Sequence, residues 1–139
     1  LVDSMPPEIK PLNEKNHGES LLKLIDKNLI LSAHDISSGG LITALAEMAL
    51  SSNYGAKIHK PKKLTNLFKY FFGEDQARYI VEIQTQNLPM VEKILEENNV
   101  YYENIGDGRV WIFRDFPEAR IKKSGQQSFL IVALFWSGY

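Results

Sequence analysis

Residues 32–50 read SAHDISSGGLITALAEMAL, and this stretch decides the fold. It predicts the end of a strand, a polar turn with Asp35, a glycine pair and a strongly apolar helix. Gly39 and Gly40 allow a sharp backbone turn and the close approach of another group. The helix that follows offers free N–H groups and the positive end of its dipole. The junction is therefore either a plain strand-to-helix turn or a phosphate site with an acidic residue nearby for a metal ion, and the spacing alone leaves both interpretations open.

Outward from this stretch, apolar periodicity and turn residues predict helices and strands in alternation. The predicted elements are helix 16–28, strand 29–34, helix 41–52, a short strand 56–59, a short helix within 64–72, strand 78–83, a helix from Asn87, and a hairpin of strands 101–105 and 109–113 around Gly106-Asp107-Gly108. This order predicts an α+β fold with helices packed on a mixed β-sheet.

The two ends of the chain differ from this pattern. Three prolines within residues 1–13 predict an extended linker from something upstream, and the first residue, Leu1, suggests a piece of a longer chain. Residues 114–139 are interrupted by breaks and form a divergent tail, in which 129–135 is a candidate for one more buried strand. The main domain is thus expected at residues 14–113.

Composition excludes several classes of function. The 139 residues suit one domain, and 44% hydrophobic residues are enough for a core. With 16 basic and 17 acidic side chains, the chain lacks the basic excess of a nucleic-acid-binding module. The absence of cysteine excludes disulfides and a cysteine zinc site. No apolar run approaches the length of about 20 residues that spans a membrane, and no signal pattern is seen, so a cytoplasmic protein without a membrane partner is expected.

Three motifs resemble the C-terminal domain of the phosphoribosylformylglycinamidine synthase family, in the superfamily of aminoimidazole ribonucleotide synthetase. In chain order they are HDISSGGL at 34–41 followed by ALAEMA at 44–49, FGEDQAR at 72–78, and IGDGRV at 105–110, the last being one residue longer than the family pattern. Their order and spacing agree with the family over about residues 20–113.

The resemblance implies a fold like the C-terminal domain of aminoimidazole ribonucleotide synthetase, which is partly ferredoxin-like. It implies a domain of the ATP- and Mg²⁺-dependent ligase that converts formylglycinamide ribonucleotide to its amidine in purine biosynthesis. Such a domain contributes one wall of a cleft and is inactive alone. Its implied partners are an N-terminal-type synthetase domain in the same chain, a glutaminase and small accessory subunits, and a homodimer is also allowed. The alternative is a stand-alone, non-catalytic binding or scaffold domain of the same fold.

The resemblance also assigns roles to residues of the glycine turn. Asp35 takes the place of a magnesium ligand, although a carboxylate at this position can also cap helix N–H groups. Ser37 takes the place of a nucleotide-phosphate contact, with Ser38 beside it, while Gly39 and Gly40 leave room for the phosphate. Ser38 departs from the aspartate that the family commonly has, which weakens a metal site.

Other polar residues have structural interpretations. His34 is either an acid–base group or a hydrogen-bonded strand end. Glu47 lies on the apolar helix, so the sequence predicts that it is buried and paired with Arg78. Glu74 and Asp75 are expected to organise the loop before the next strand. No catalytic residue is assigned. Glutamine hydrolysis of the family's type needs an activated cysteine, and this chain contains no cysteine.

Overall fold

The computed structural model describes residues 10–52, 54–59, 66–74, 77–111, 122–123 and 129–135. Its helices are α1 (Pro11–Asp26), α2 (Gly40–Ser52), α3 (Leu67–Phe72) and α4 (Leu88–Glu97), with a 3-10 turn at Thr85–Asn87. Its strands are β1 (Ile30–Asp35), β2 (Gly55–Ile58), β3 (Tyr79–Gln84), β4 (Tyr101–Trp111), β5 (Lys122–Lys123) and β6 (Phe129–Phe135). None of these helices combines the length and apolar character needed to cross a bilayer.

The strands form one sheet in the order β1-β3-β6-β4-β2, with β5 paired to β4. All the pairings in the described part of the chain are antiparallel, so the sheet is antiparallel rather than mixed. Because directions alternate across the sheet, β3 and β4 run the same way with β6 between them and α4 connecting them. This split β–α–β arrangement also occurs in ferredoxin-like folds. The predicted α+β class, with helices packed on a sheet, is confirmed.

Helices cover both faces of the sheet. The first apolar cluster joins α2 and α3 to one face through Leu41, Leu45, Tyr70 and Ile80. The second cluster joins α1 and α4 to the opposite face through residues that include Leu24, Val81, Ile83, Val91, Leu95 and Leu134. Ile80 belongs to one cluster and Val81 to the other, since successive side chains of a strand point to opposite faces.

The beginning of α1 corrects the predicted linker. Residues 11–13 form the first turn of the helix, while residues 1–9 lie outside the described part. Pro11 stands at the start of α1, where its missing N–H costs no hydrogen bond and its fixed φ suits a helix. Pro11, which was predicted to lie in an extended linker, is thus the first residue of a helix.

The hairpin predicted around Gly106-Asp107-Gly108 is wrong, because β4 runs without a turn from Tyr101 to Trp111. Its register against β6 shifts between Asn104 and Gly106, which marks a bulge. A Cβ at Gly106 would lie only 3.0 Å from the Cα of Ile58 on the neighbouring strand β2. Glycine therefore permits close strand approach here rather than a reversal of the chain.

The position of β6 shows that the tail takes part in the fold. Residues Phe129–Phe135 pair with β3 on one side and with β4 on the other. Leu134 is fully buried in the cluster beneath α1 and α4. The strand at 129–135 therefore belongs to the same sheet as the main domain.

Two tyrosines of this fold share one carboxylate, and we expect them to give stability a pH dependence. The hydroxyl of Tyr70 donates to Glu103 at 3.3 Å, and that of Tyr101 donates to Glu103 at 2.7 Å. Burial raises the pKa of Tyr70, with a further increase from the charge of Glu103. The hydrogen bond to Glu103 raises the pKa of Tyr101 to about 12.

Because both folded-state pKa values lie above the unfolded value near 10, the unfolded chain releases these protons first as pH rises. The free energy of unfolding should be insensitive to these groups below about pH 10 and fall above it. Urea unfolding measured from pH 8 to 11.5 should show this decline, with a smaller slope in Tyr101→Phe. Equal slopes in the two proteins would contradict the assignment.

Candidate functional site

The glycine turn between β1 and α2 is fixed at both ends by backbone hydrogen bonds. The N–H of Ile36 donates to the carbonyl of Arg78 at 2.8 Å, and that of Gly40 donates to the carbonyl of Ser37 at 3.0 Å. Gly39 and Gly40 have φ values of +81° and +71°, a region that favours glycine. The chain thus turns here because two consecutive residues, Gly39 and Gly40, adopt left-handed conformations.

Glu74 holds the turn from the other side. Its Oε1 accepts a hydrogen bond from the N–H of Gly39 at 2.8 Å, which confirms its predicted role as a loop organiser. Asp75, predicted with it, lies outside the described residues. The N–H groups of both Gly39 and Gly40 therefore have acceptors within the chain. The glycines contribute to the turn through their left-handed backbone conformations and because Gly40 allows the backbone of α3 to approach closely.

A cleft of about 380 Å³ opens beside the turn. Its lining residues are Asp35, Ile36, Ser37, Ser38, Glu74, Ala77, Arg78 and Tyr79. The side chains of Asp35, Ser37 and Ser38 are exposed, whereas Gly40 is buried beneath the turn. The structure thus brings the predicted carboxylate and both predicted hydroxyls to one solvent-accessible wall.

The oxygen donors of this wall suit a magnesium ion that is shared with a phosphate. Mg²⁺ usually keeps several waters and takes one or two carboxylates together with phosphate oxygens. The Asp35 side chain is 65% exposed and lines the cleft, and its Oδ1 lies 3.6 Å from Nδ1 of His34. Among the described residues, no cluster of three or more histidine or acidic side chains forms a complete metal cage. A metal here would need ligands from a bound phosphate or water.

His34 ties the end of β1 to α2. Its Nε2 lies 3.2 Å from Oε2 of Glu47, and its Nδ1 lies 2.6 Å from the carbonyl oxygen of Asp35. The predicted Glu47–Arg78 pair is wrong in its premise, since the Glu47 side chain is 57% exposed rather than buried. The helical spacing showed that Glu47 lies on α2 but not which way this position faces. His34 is thus a hydrogen-bonded residue at the end of β1, and it lies beside the candidate site.

Arg78 lies in the wall of the cleft beside Ala77 and Tyr79. Only 1% of this residue is exposed. Its Nη1 donates to the carbonyl of Gly73 at 2.9 Å, and its Nη2 donates to that of Tyr70 at 3.4 Å. The guanidinium therefore holds the end of α3 against the entry of β3.

A second contact at this wall was not apparent from sequence. His17 of α1 is buried, and its Nδ1 lies 2.5 Å from the carbonyl oxygen of Ala77. Ala77 has a φ of +57°, an unfavourable conformation for a residue with a side chain. The two residues are 60 positions apart, so no local pattern could have joined them.

Comparison with known proteins gives the chain its family. The family model for the C-terminal domain of AIR synthase related protein matches residues 3–107. The phosphoribosylformylglycinamidine synthase subunit PurL of Pelagibacter ubique (strain HTCC1062) is 52% identical over 101 residues, which are 73% of this chain and 14% of that protein.

More distant relatives carry the same name. The PurL subunit of Rhodopseudomonas palustris (strain HaA2) is 38% identical over 104 residues, 75% of this chain, and that of Caldanaerobacter subterraneus subsp. tengcongensis (strain DSM 15242 / JCM 11007 / NBRC 100824 / MB4) is 38% identical over 106 residues, 76% of this chain. The chain spans about 14% of the length of these curated relatives. Since the family model covers most of the sequence, including all three motifs up to Asp107, the chain belongs to the family of AIR synthase related proteins, as their C-terminal domain.

Proposed function

We propose that the chain works as the C-terminal domain of a phosphoribosylformylglycinamidine synthase in the cytoplasm. The complete enzyme converts formylglycinamide ribonucleotide to formylglycinamidine ribonucleotide in purine biosynthesis, with ATP, Mg²⁺ and ammonia from glutamine. The observation that carries the proposal is the 52% identity over 101 residues to a protein of that name, joined to an exposed polar cleft at the glycine turn.

Within this function, the cleft is one wall of a nucleotide or substrate phosphate site. Asp35 would hold a Mg²⁺ ion, and the hydroxyls of Ser37 and Ser38 would donate hydrogen bonds to phosphate oxygens. Gly39 and Gly40 let the phosphate approach the backbone, while their N–H groups stay bonded within the turn. Bound Mg²⁺ supplies charge neutralisation, which is the main requirement of phosphoryl transfer together with positioning.

The remaining parts of the site come from other domains or subunits. The described cleft is open to solvent, and in this proposal an N-terminal-type synthetase domain in the same chain completes it. This chain has no cysteine nucleophile of its own for glutamine hydrolysis, and in this proposal ammonia comes from a glutaminase that acts with small accessory subunits.

The first test is the activity of the isolated chain. The purified 139-residue protein is expected to show no turnover with ATP, Mg²⁺, formylglycinamide ribonucleotide and ammonia, because the cleft lacks its second wall. The native polypeptide, isolated from source cells with an antibody against this domain, is expected to be several times heavier and to form the amidine. Product formation by the isolated chain, or a native polypeptide of 15.9 kDa without activity, would contradict the proposal.

The second test concerns Asp35. In the native-length protein, Asp35→Asn should lower kcat/KM by about tenfold to a hundredfold, because it removes one charged ligand worth roughly 1.4–2.7 kcal/mol. The loss should shrink as Mg²⁺ is raised. Asp26→Asn is the matched control, since Asp26 is an exposed carboxylate at the end of α1, away from the cleft. Equal activity of both variants would remove Asp35 from the site.

A further inference from the structure

The peptide group that follows Asp35 is held on both sides. The N–H of Ile36 donates to the carbonyl of Arg78 at 2.8 Å, toward β3. In a planar trans peptide the carbonyl points the opposite way, so the carbonyl of Asp35 faces away from β3. There it accepts a hydrogen bond from Nδ1 of His34 at 2.6 Å, since a carbonyl oxygen can only accept. The backbone beside the candidate magnesium ligand is therefore fixed by one hydrogen bond on each side.

His34 supplies a contact that the sheet does not give at this position. β1 lies at one edge of the sheet, and in the described part of the chain it pairs with β3 alone. The backbone groups on the outer side of such a strand lack a neighbouring strand, and strand ends are among the first parts of a fold to open. The His34 donor replaces the neighbour for the carbonyl of Asp35. It thereby keeps the last residue of β1 in place where this residue lines the cleft.

The imidazole of His34 is itself held at its other nitrogen. Nε2 lies 3.2 Å from Oε2 of Glu47 on α2. Because α2 is anchored to the sheet through buried residues such as Leu41 and Ala44, Glu47 gives the ring a fixed support outside the turn. A ring that is contacted at both nitrogens has a defined orientation, which is how residues outside a metal site orient the ligands within it.

The stability of the fold does not depend on this arrangement. The side chains of Glu47 and His34 are 57% and 28% exposed, and contacts between exposed charged groups add little to stability. The apolar cluster beneath α2 holds the helix on the sheet instead. Replacement of His34 should therefore act mainly on Asp35, whose Oδ1 lies 3.6 Å from the same Nδ1.

We infer that His34, supported by Glu47, is a positioning residue that holds Asp35 in place for Mg²⁺. The inference rests on the proposed function, which gives Asp35 its role as a metal ligand. A misplacement of about 1 Å can lower activity about a hundredfold, so a hydrogen bond to the adjoining peptide has a large effect without touching the metal. Replacing such an outer partner of a metal ligand typically costs about 10–100-fold in metal affinity or activity.

Two substitutions separate the two nitrogens of the ring. His34→Asn keeps an amide nitrogen near the place of Nδ1 and removes the contact with Glu47, whereas His34→Gln keeps one near the place of Nε2 and removes the donor to Asp35. In the native-length protein, His34→Gln should raise the Mg²⁺ concentration that gives half-maximal synthase activity by about tenfold. His34→Asn should raise it by less than about threefold, because the hydrogen bond to the Asp35 carbonyl is retained.

A second measurement detects the metal without turnover. Fe²⁺ is added in place of Mg²⁺ and, with ascorbate and peroxide, cleaves the polypeptide beside its binding site. Cleavage at residues 35–38 of the native-length protein should fall about fivefold or more in His34→Gln and persist in His34→Asn. His59→Gln is the matched control, since His59 is also exposed and lies 3.7 Å from a carboxylate, that of Asp107, but follows β2 at the opposite edge of the sheet. Both readouts should be unchanged in this control.

Several results would overturn the inference. An unchanged Mg²⁺ response in His34→Gln, with or without a lower urea midpoint, would leave His34 a purely structural role. Equal losses in His34→Asn and His34→Gln would show that the Nδ1 donor is not what matters, and an equal loss in His59→Gln would show a general effect. Absence of cleavage at residues 35–38 in an active protein would remove the metal from Asp35 while retaining the synthase assignment. Conversely, an inactive protein that is cleaved with the expected pattern would reject the synthase assignment and support the positioning role.

Discussion

Gly40→Ala is expected to lower the free energy of unfolding by about 2–5 kcal/mol. Its φ of +71° is a conformation that costs a residue with a side chain about 1–2 kcal/mol. In addition, a Cβ at this position would lie 2.7 Å from the carbonyl oxygen of Phe71 and 2.7 Å from the Cα of Phe72. Because these are backbone atoms, α3 would have to move as a unit, at a further cost of about 1–3 kcal/mol.

The chain offers a matched control for this substitution. Gly18 lies within α1, and a Cβ built on it meets no atom within 4 Å. Gly18→Ala should therefore raise the free energy of unfolding by up to about 1 kcal/mol, as alanine favours the helix. Urea unfolding followed by circular dichroism measures both variants. A Gly40→Ala protein as stable as the wild type would show that α2 and α3 do not approach each other as described.

Arg78→Met should be the second strongly destabilising change, by about 3 kcal/mol. The substitution leaves the carbonyls of Gly73 and Tyr70 without their guanidinium donor, and each buried group left unpaired costs about 1–3 kcal/mol. Arg78→Lys should recover less than half of the loss, since an ammonium group cannot reproduce the planar fork that reaches two carbonyls.

The control for Arg78 is Lys15, which forms an ion pair on the exposed surface of the domain. Lys15 lies 3.8 Å from Glu19 on the surface of α1, and Lys15→Met should change stability by less than about 0.5 kcal/mol. Hydrogen exchange adds a local readout, because loss of Arg78 should increase exchange in α3 more than in α4. Full stability of Arg78→Lys would show that charge alone, rather than the two hydrogen bonds, is what this buried position requires.

The parts of the fold that were predictable from sequence are those fixed by nearby residues. The polar turn with two glycines between β1 and α2 was recognisable because left-handed conformations and helix starts have local signals. The apolar content of α2 indicated a helix that packs in the core but not which residues pack there, since Leu41 is buried whereas Leu50 is 65% exposed. The position of Asp35, Ser37 and Ser38 on one wall also followed, because all three lie within a single turn.

The parts that were not predictable depend on contacts between distant residues. Gly106 carries the same turn signal as a hairpin glycine, but its neighbour across the sheet, Ile58, makes it a site of close strand approach. Similarly, Glu74 reaches the N–H of Gly39 from 35 residues away, which a motif can suggest but spacing cannot establish. Glu47 was misplaced because the apolar character of α2 concealed which side faces solvent.

The place of β6 affects the order in which this chain can fold during synthesis. β6 is the last of the six strands to leave the ribosome, yet it lies between β3 and β4 in the finished sheet. Until it emerges, the β1–β3 pair and the β4–β2 pair have no strand to join them, and one edge of each remains unpaired. Open strand edges invite pairing with other chains, and such non-local closure is slow. Until residues 129–135 have been translated and inserted, the nascent chain is therefore expected to expose an unpaired edge on β3 and another on β4.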